Sequence, residues 1–104
     1  MPEDTRIKLR IDGKDVGEAL TRDYKDGEVF LTDFEIFDEY RNKGYGQKAL
    51  TYLIDKCGVN SLTVDPNNKP AMHIYGKFGF KQIGEPYYDE NAGCVVIYMK
   101  KGVA

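Results

Sequence analysis

The stretch DEYRNKGYGQKAL, Asp38–Leu50, sets two glycines two positions apart, with basic residues around them, just ahead of an apolar-periodic run. Glycine has no Cβ, so the backbone there can come close to a partner. A helix N-terminus adds N–H groups without intrahelical acceptors and the positive end of a dipole. Together they favour a bound anion, most often a phosphate.

The flanking chain sets the fold around that loop. RIKLRID (6–12) alternates, with Ile7, Leu9 and Ile11 on one face, and stops at Asp12-Gly13, a hairpin signal. VGEALTRDY (16–24) is a second, weaker strand ending near Asp26-Gly27, and EVFLTDFEIF (28–37) is a third. After the loop, Leu50, Leu53, Ile54 and Cys57 fall at i, i+3, i+4, i+7, one face of a helix, with Gly58 placed to stop it. NSLTVD (60–65) is a short strand. NNKPAMHIYGKFGF (67–80) opens with an Asn cap and a first-turn Pro, carries Ala71, Ile74, Tyr75 and Phe78 as an inner stripe, and ends at Gly79. KQIGEPYY (81–88) and GCVVIYMKK (93–101) read as two last strands. The order βββ-α-β-α-ββ predicts an α/β (α+β) fold with a mixed sheet, in a single domain over 1–104.

Composition bounds the function. A chain of 104 residues, 41% hydrophobic and 31% charged, reads as soluble and globular. Its longest apolar run, CVVIYM (94–99), is too short to span a bilayer, and MPEDTRIKLR has no apolar signal-peptide segment. No membrane association is expected. Cys57 and Cys94 form neither a metal spacing nor a disulfide framework, and both read as core positions. With a single histidine besides, no metal is expected, and a reduced, cytoplasmic setting is. A net charge of −2 argues against a nucleic-acid partner. Residues 41–81 carry seven Lys/Arg against two Asp, leaving the remainder at −7. That split suits a polyanionic ligand in the middle segment and a cationic partner nearby.

Two phosphate-binding patterns compete for the loop. Gly44-Tyr45-Gly46-Gln47-Lys48-Ala49 fits G-x-G-x-x-A, a dinucleotide fingerprint, and Asp65 ends the next strand where a ribose-binding acid would lie. In that fingerprint the first glycine follows its strand almost directly, whereas DEYRNK intervenes here. The opening meander and short chain also leave no room for a doubly wound sheet. The Walker pattern fails because no Gly-Lys-Ser/Thr follows.

EYRNKGYGQKAL (39–50) resembles the acetyl-CoA loop of the GCN5-related N-acetyltransferase (GNAT) family, Gln/Arg-x-x-Gly-x-Gly/Ala, with Arg41, Gly44 and Gly46 at the specified positions. NKPAMHIYGKFGF (68–80) is similar to a second family motif through Asn68, Ala71, Tyr75, Gly79 and Phe80. The resemblance spans residues 14 to 100 and implies an acetyl-CoA-dependent N-acetyltransferase acting on a primary amine by direct transfer. A CoA-binding or interaction module without turnover is the alternative. Family members usually begin with a strand and two helices that wall the acceptor site. This chain starts close to the second strand, so the expectation is an open acceptor site, a homodimer that completes it, or a minimal version acting on an exposed group.

By resemblance, backbone N–H groups of Asn42, Lys43, Gly44, Tyr45, Gly46 and Gln47 cradle the pyrophosphate, with Arg41, Lys43 and Lys48 adding charge. Main-chain groups of Phe34, Glu35 and Ile36 pair with the pantetheine arm, and the Ile36 N–H polarises the thioester carbonyl. Asn68 caps its helix and, with Ala71, touches the cosubstrate. Tyr75 is the candidate general acid towards the departing thiolate, weighed against a half-buried core tyrosine. Asp33 is the candidate base; it shares a strand face with Glu35, about 7 Å away by strand rise, and an ordinary solvated face explains it equally. His73 reads as a surface residue. Tyr87 and Tyr88 are candidates for an acceptor mouth, although strands favour aromatics without such a role.

Overall fold

Three strands follow one another as the alternation requires. In the computed structural model, which describes residues 3–102, β1 runs Glu3–Ile11, β2 Lys14–Asp23 and β3 Val29–Ile36. Asp12 and Gly13 have φ of 53° and 78°, the paired positive values of a two-residue turn whose twist matches the strands. Both strand pairs are antiparallel, and each carries a bulge. Leu9 faces Gly17 and Arg10 faces Asp15, so Val16 is the extra residue on β2. Leu20 faces Asp33 and Thr21 faces Leu31, so Thr32 is the extra residue on β3. Bulges bend a strand and re-aim the side chains beside them.

One contact sets the spacing of β2 and β3. A Cβ at Gly17 would lie 2.0 Å from the Glu35 carbonyl oxygen, so the strands meet there only because residue 17 has none. Just beyond, the Phe37 N–H donates to the Val16 carbonyl at 2.8 Å. Helix α1, Tyr45–Cys57, buries Ala49, Leu50 and Leu53 and packs on β1 and β3, where Leu9 and Leu31 are buried. Gly58, at φ 76°, ends it: the N–H groups of Gly58 and Val59 both turn back to the Leu53 carbonyl.

The described residues gather into two compact units, one through Val59 and the other from Asn60. In the second, β7 (Cys94–Lys101) pairs antiparallel with β4 (Ser61–Val64), β5 (Phe80–Gln82) and β6 (Tyr87–Asp89). Leu62, Phe80, Val96, Ile97 and Met99 are buried there. Helix α2, Lys69–Lys77, packs on β5. The Ser61 hydroxyl is fully buried without a hydrogen-bond partner.

The mixed α/β fold is the expected one, with one strand more. KQIGEPYY divides into β5 and β6, because Gly84 turns at φ 75° and Pro86 has no N–H to donate. The Gln82 side chain closes the break by donating to the Gly84 carbonyl at 3.0 Å. Cys94 corrects a second expectation: it begins β7 in the exposed part of the strand, and Cys57 is only half-buried. Neither is a core residue. No described helix is long and apolar enough to cross a membrane.

Two glycines should respond oppositely to alanine. At Gly76, in α2, a Cβ would meet nothing within 4 Å, so Gly76→Ala should stabilise by about 0.5–1 kcal/mol through helix propensity. Gly17→Ala forces a side chain onto backbone and should cost about 3 kcal/mol. Urea unfolding of both variants checks this, and a Gly17→Ala protein as stable as the parent would disprove the close approach.

Candidate active site

The glycine loop begins where β3 ends. A single 3₁₀ turn, Asp38–Tyr40, follows the strand. Asn42 and Gly44 then take positive φ, 62° and 84°, and α1 begins at Tyr45. Gly46 and Gln47 therefore lie in the first helical turn. The first helical bond runs from the Lys48 N–H to the Gly44 carbonyl, at 3.4 Å. A left-handed glycine has no side chain to cap with, and the first turn holds no acid. Among the described residues the N–H groups of Tyr45, Gly46 and Gln47 have no acceptor.

Gly46 sharpens the point. A Cβ there would meet only the Ile36 Cγ1, at an ordinary 4.0 Å. Packing does not require glycine at this position, and a helix disfavours it.

The basic residues around the loop divide. Lys48 pairs with Asp12 at 3.0 Å, which ties α1 to the β1–β2 turn. Arg41 Nε donates to the Ile36 carbonyl at 2.7 Å, with Nη1 2.9 Å from Asp38 Oδ1 and Nη2 4.0 Å from Glu35 Oε2. Lys43 has no ion-pair partner among the described residues. The Tyr45 ring stands edge-on to Tyr40, centroids 5.7 Å apart.

On β3, the Thr32 bulge immediately precedes Asp33. Asp33 is exposed, and its Oδ1 accepts the Phe34 N–H at 2.9 Å. Phe37 N–H points across to Val16, so alternation turns the Ile36 N–H and carbonyl to the other edge of β3. Phe34, Glu35, Ile36 and residues 41–47 thus share the first unit.

Asn68, Ala71 and Tyr75 belong to α2, in the second unit. Asn68 Oδ1 accepts the Ala71 N–H at 3.3 Å, and Pro70 has no N–H, so this N-terminus is satisfied by its own residues. Tyr75 is half-buried, edge-on to Phe80 with centroids 6.0 Å apart, and burial raises its phenol above the usual tyrosine value. His73 is exposed, and so are Tyr87 and Tyr88. Among the described residues no group of three or more His, Cys, Asp or Glu is placed to hold a metal.

Gly17, Asp12 and Asp38 were not singled out by motif. Only Gly17 left a signal, a glycine inside a strand, which marks a close backbone approach.

The sequence model of the acetyltransferase (GNAT) family matches residues 2–80. The chain belongs to the GNAT acetyltransferase family. A spermine/spermidine N(1)-acetyltransferase of Bacillus subtilis (strain 168) is 39% identical over 92 residues, covering 76% of this chain and 60% of the relative. The chain thus spans less than two thirds of that enzyme's length. Among solved structures, the ribosomal-protein-S18-alanine N-acetyltransferase of Escherichia coli superposes with a TM-score of 0.69 at 29% identity, over 88% of this chain and 63% of that one. A GNAT acetyltransferase of Elizabethkingia anophelis, solved with acetyl-CoA bound, shares the fold at a TM-score of 0.68 and 14% identity, over 89% and 72%.

Within this GNAT chain, Tyr75 has a consequence for stability. A phenol raised above its unfolded value near 10 lends the fold stability that is whole below that pH and is lost as pH climbs through the folded value. Cys57 and Tyr87 are also raised, burial first among the causes, and act in the same direction. Melting temperatures should therefore fall at alkaline pH, and less steeply for Tyr75→Phe than for the parent. Parallel curves for the two proteins would show that the phenol is not desolvated.

Proposed function

We propose that this chain is an acetyl-CoA-dependent N-acetyltransferase, and that its acceptor is a polyamine of the spermidine type. The observation that carries the first part is the α1 N-terminus: three adjacent N–H donors without acceptors, and a glycine at 46 for which the fold has no need. Such a turn suits a pyrophosphate brought against the backbone. Lys43 supplies the nearby charge that no carboxylate has claimed. The α2 N-terminus, capped by Asn68, offers no comparable place.

The reaction then follows from the groups at hand. The acceptor amine, deprotonated, attacks the thioester carbonyl; a C–N bond forms and the C–S bond breaks. The Ile36 N–H, turned to the edge of β3 away from β2, stabilises the developing oxyanion. Tyr75, kept protonated by burial, donates a hydrogen bond to the departing sulfur. A thiol with a reference value of about 8.5 is a stronger acid than a phenol, so the proton the thiol finally keeps comes from the amine. Asp33, exposed and with Oδ2 open, takes up through water the earlier proton, the one the ammonium loses before it attacks. Phe34 and Glu35 align the pantetheine arm through their main chain. A reduced, cytoplasmic setting suits the two free thiols.

The polyamine assignment draws on the Bacillus subtilis relative and on charge. A remainder at −7, with Asp33 and Glu35 exposed on one face of β3, favours a cation over a neutral acceptor.

Acetyl-CoA, CoA and NAD titrated in parallel test the loop: the CoA species at 100 times their Kd should add about 2.7 kcal/mol of stability and NAD none. Gly46→Val should leave stability within about 0.5 kcal/mol of the parent and abolish that shift. A Gly46→Val protein that still binds CoA with parental affinity would sink the assignment of the turn.

Release of CoA thiol with spermidine tests turnover. Tyr75→Phe should lower kcat by about tenfold, the range for a hydrogen bond to a charged group, while CoA binding persists. Binding of CoA without acetylation of any polyamine would instead make the chain a CoA-binding module.

A further inference from the structure

We propose that Arg41 is a positioning residue: it fixes one peptide plane at the end of β3 rather than meeting the phosphates itself. The inference rests on the transferase reading above. The plane is the one joining Ile36 to Phe37. Its N–H pole, on Phe37, donates to the Val16 carbonyl at 2.8 Å, and its C=O pole, on Ile36, accepts from Arg41 Nε at 2.7 Å. A trans peptide points these poles in opposite directions. Held at both, this plane is restrained, and because Ile36 φ and ψ alone join it to the preceding plane, it narrows the directions open to the Ile36 N–H. That N–H is the group assigned to the oxyanion.

The guanidinium's charge is otherwise engaged. Nη1 meets Asp38 at 2.9 Å and Nη2 lies 4.0 Å from Glu35, in pairs whose side chains are more than half exposed. Exposed pairs of this kind contribute little to stability. Their effect is to turn the fork towards the strand end and to offset its charge towards any bound anion. The Nε bond is the one with a geometric consequence, because it acts on a backbone group that no side-chain substitution elsewhere can replace.

The position of Nε in the side chain makes the idea decidable. Glutamine carries an amide N–H at the same number of bonds from Cα as Arg Nε, without the charge. Lysine keeps the charge but has a methylene there. A positioning role therefore accepts glutamine and rejects lysine, whereas a phosphate-binding role does the reverse.

Arg41→Gln and Arg41→Lys are made in the full chain. Exchange of the Phe37 amide is followed by NMR without ligand, and kcat and KM for acetyl-CoA are measured with spermidine. Arg41→Gln should keep parental exchange and kcat. Arg41→Lys should speed Phe37 exchange and lower kcat, each by about tenfold, the range for a charge-assisted hydrogen bond, with little change in KM. Parental behaviour in Arg41→Lys together with a raised KM in Arg41→Gln would overturn the proposal, as would equal loss in both variants. Should the parent bind CoA but acetylate nothing, the transferase reading falls, and Phe37 exchange still decides what Arg41 does.

Discussion

A helix that starts on a left-handed glycine starts without a cap, and that constraint organises the first half of this molecule. Gly44 has no side chain to accept from the N–H groups of the first turn, and no acid or hydroxyl stands in. Glycine in place of a capping side chain costs a few tenths of a kcal/mol, and glycine at 46 adds to that. The second helix shows that the chain can do otherwise: Asn68 closes its own turn, and a proline removes one donor altogether. The difference between the two helix starts is chemical. One leaves a row of donors for something outside the fold, and the other leaves almost none.

The surrounding structure keeps that open turn in a fixed relation to β3. Gly17 lets β2 approach the Glu35 carbonyl, Lys48 ties α1 to the β1–β2 turn, and Leu50 and Leu53 seat the helix in the core. These contacts hold the loop from three directions with residues remote from one another in sequence. Rigidity of this kind matters for a group-transfer site, since reacting groups held in place replace a bimolecular encounter by an internal one.

Much of this was legible in the residues themselves, and the exceptions have physical reasons. Alternation in RIKLRID gave β1, and Asp-Gly gave its turn; the Leu50–Cys57 spacing gave the buried stripe of α1, although Cys57 sits at its edge. KQIGEPYY defeated a one-strand reading because Pro86 and Gly84 outweigh the β propensity around them. Cys94 looked buried because apolar residues follow it, yet the buried part of β7 begins only at Val96. In the loop, glycine spacing identified the backbone that could meet a phosphate. It could not show that Arg41 and Lys48 already have partners, because those partners, Ile36, Asp38 and Asp12, are chosen by how strand ends come together in space.

That last point bears on how an acidic protein can hold a polyanion. With Arg41 and Lys48 engaged, little free cationic charge remains at the turn beyond Lys43. The attraction must come mainly from oriented N–H dipoles, which act over one helical turn and need no mobile side chain to be immobilised. Dipoles of this kind do not cancel the long-range field of the remaining acids, which extends roughly a Debye length, about 8 Å, at physiological salt. A short-range site for an anion can therefore coexist with a longer-range pull on a cation. For the proposed transfer from an anionic donor to a cationic acceptor, this division of labour would give each substrate its own kind of attraction, and neither requires the protein to carry a large net charge.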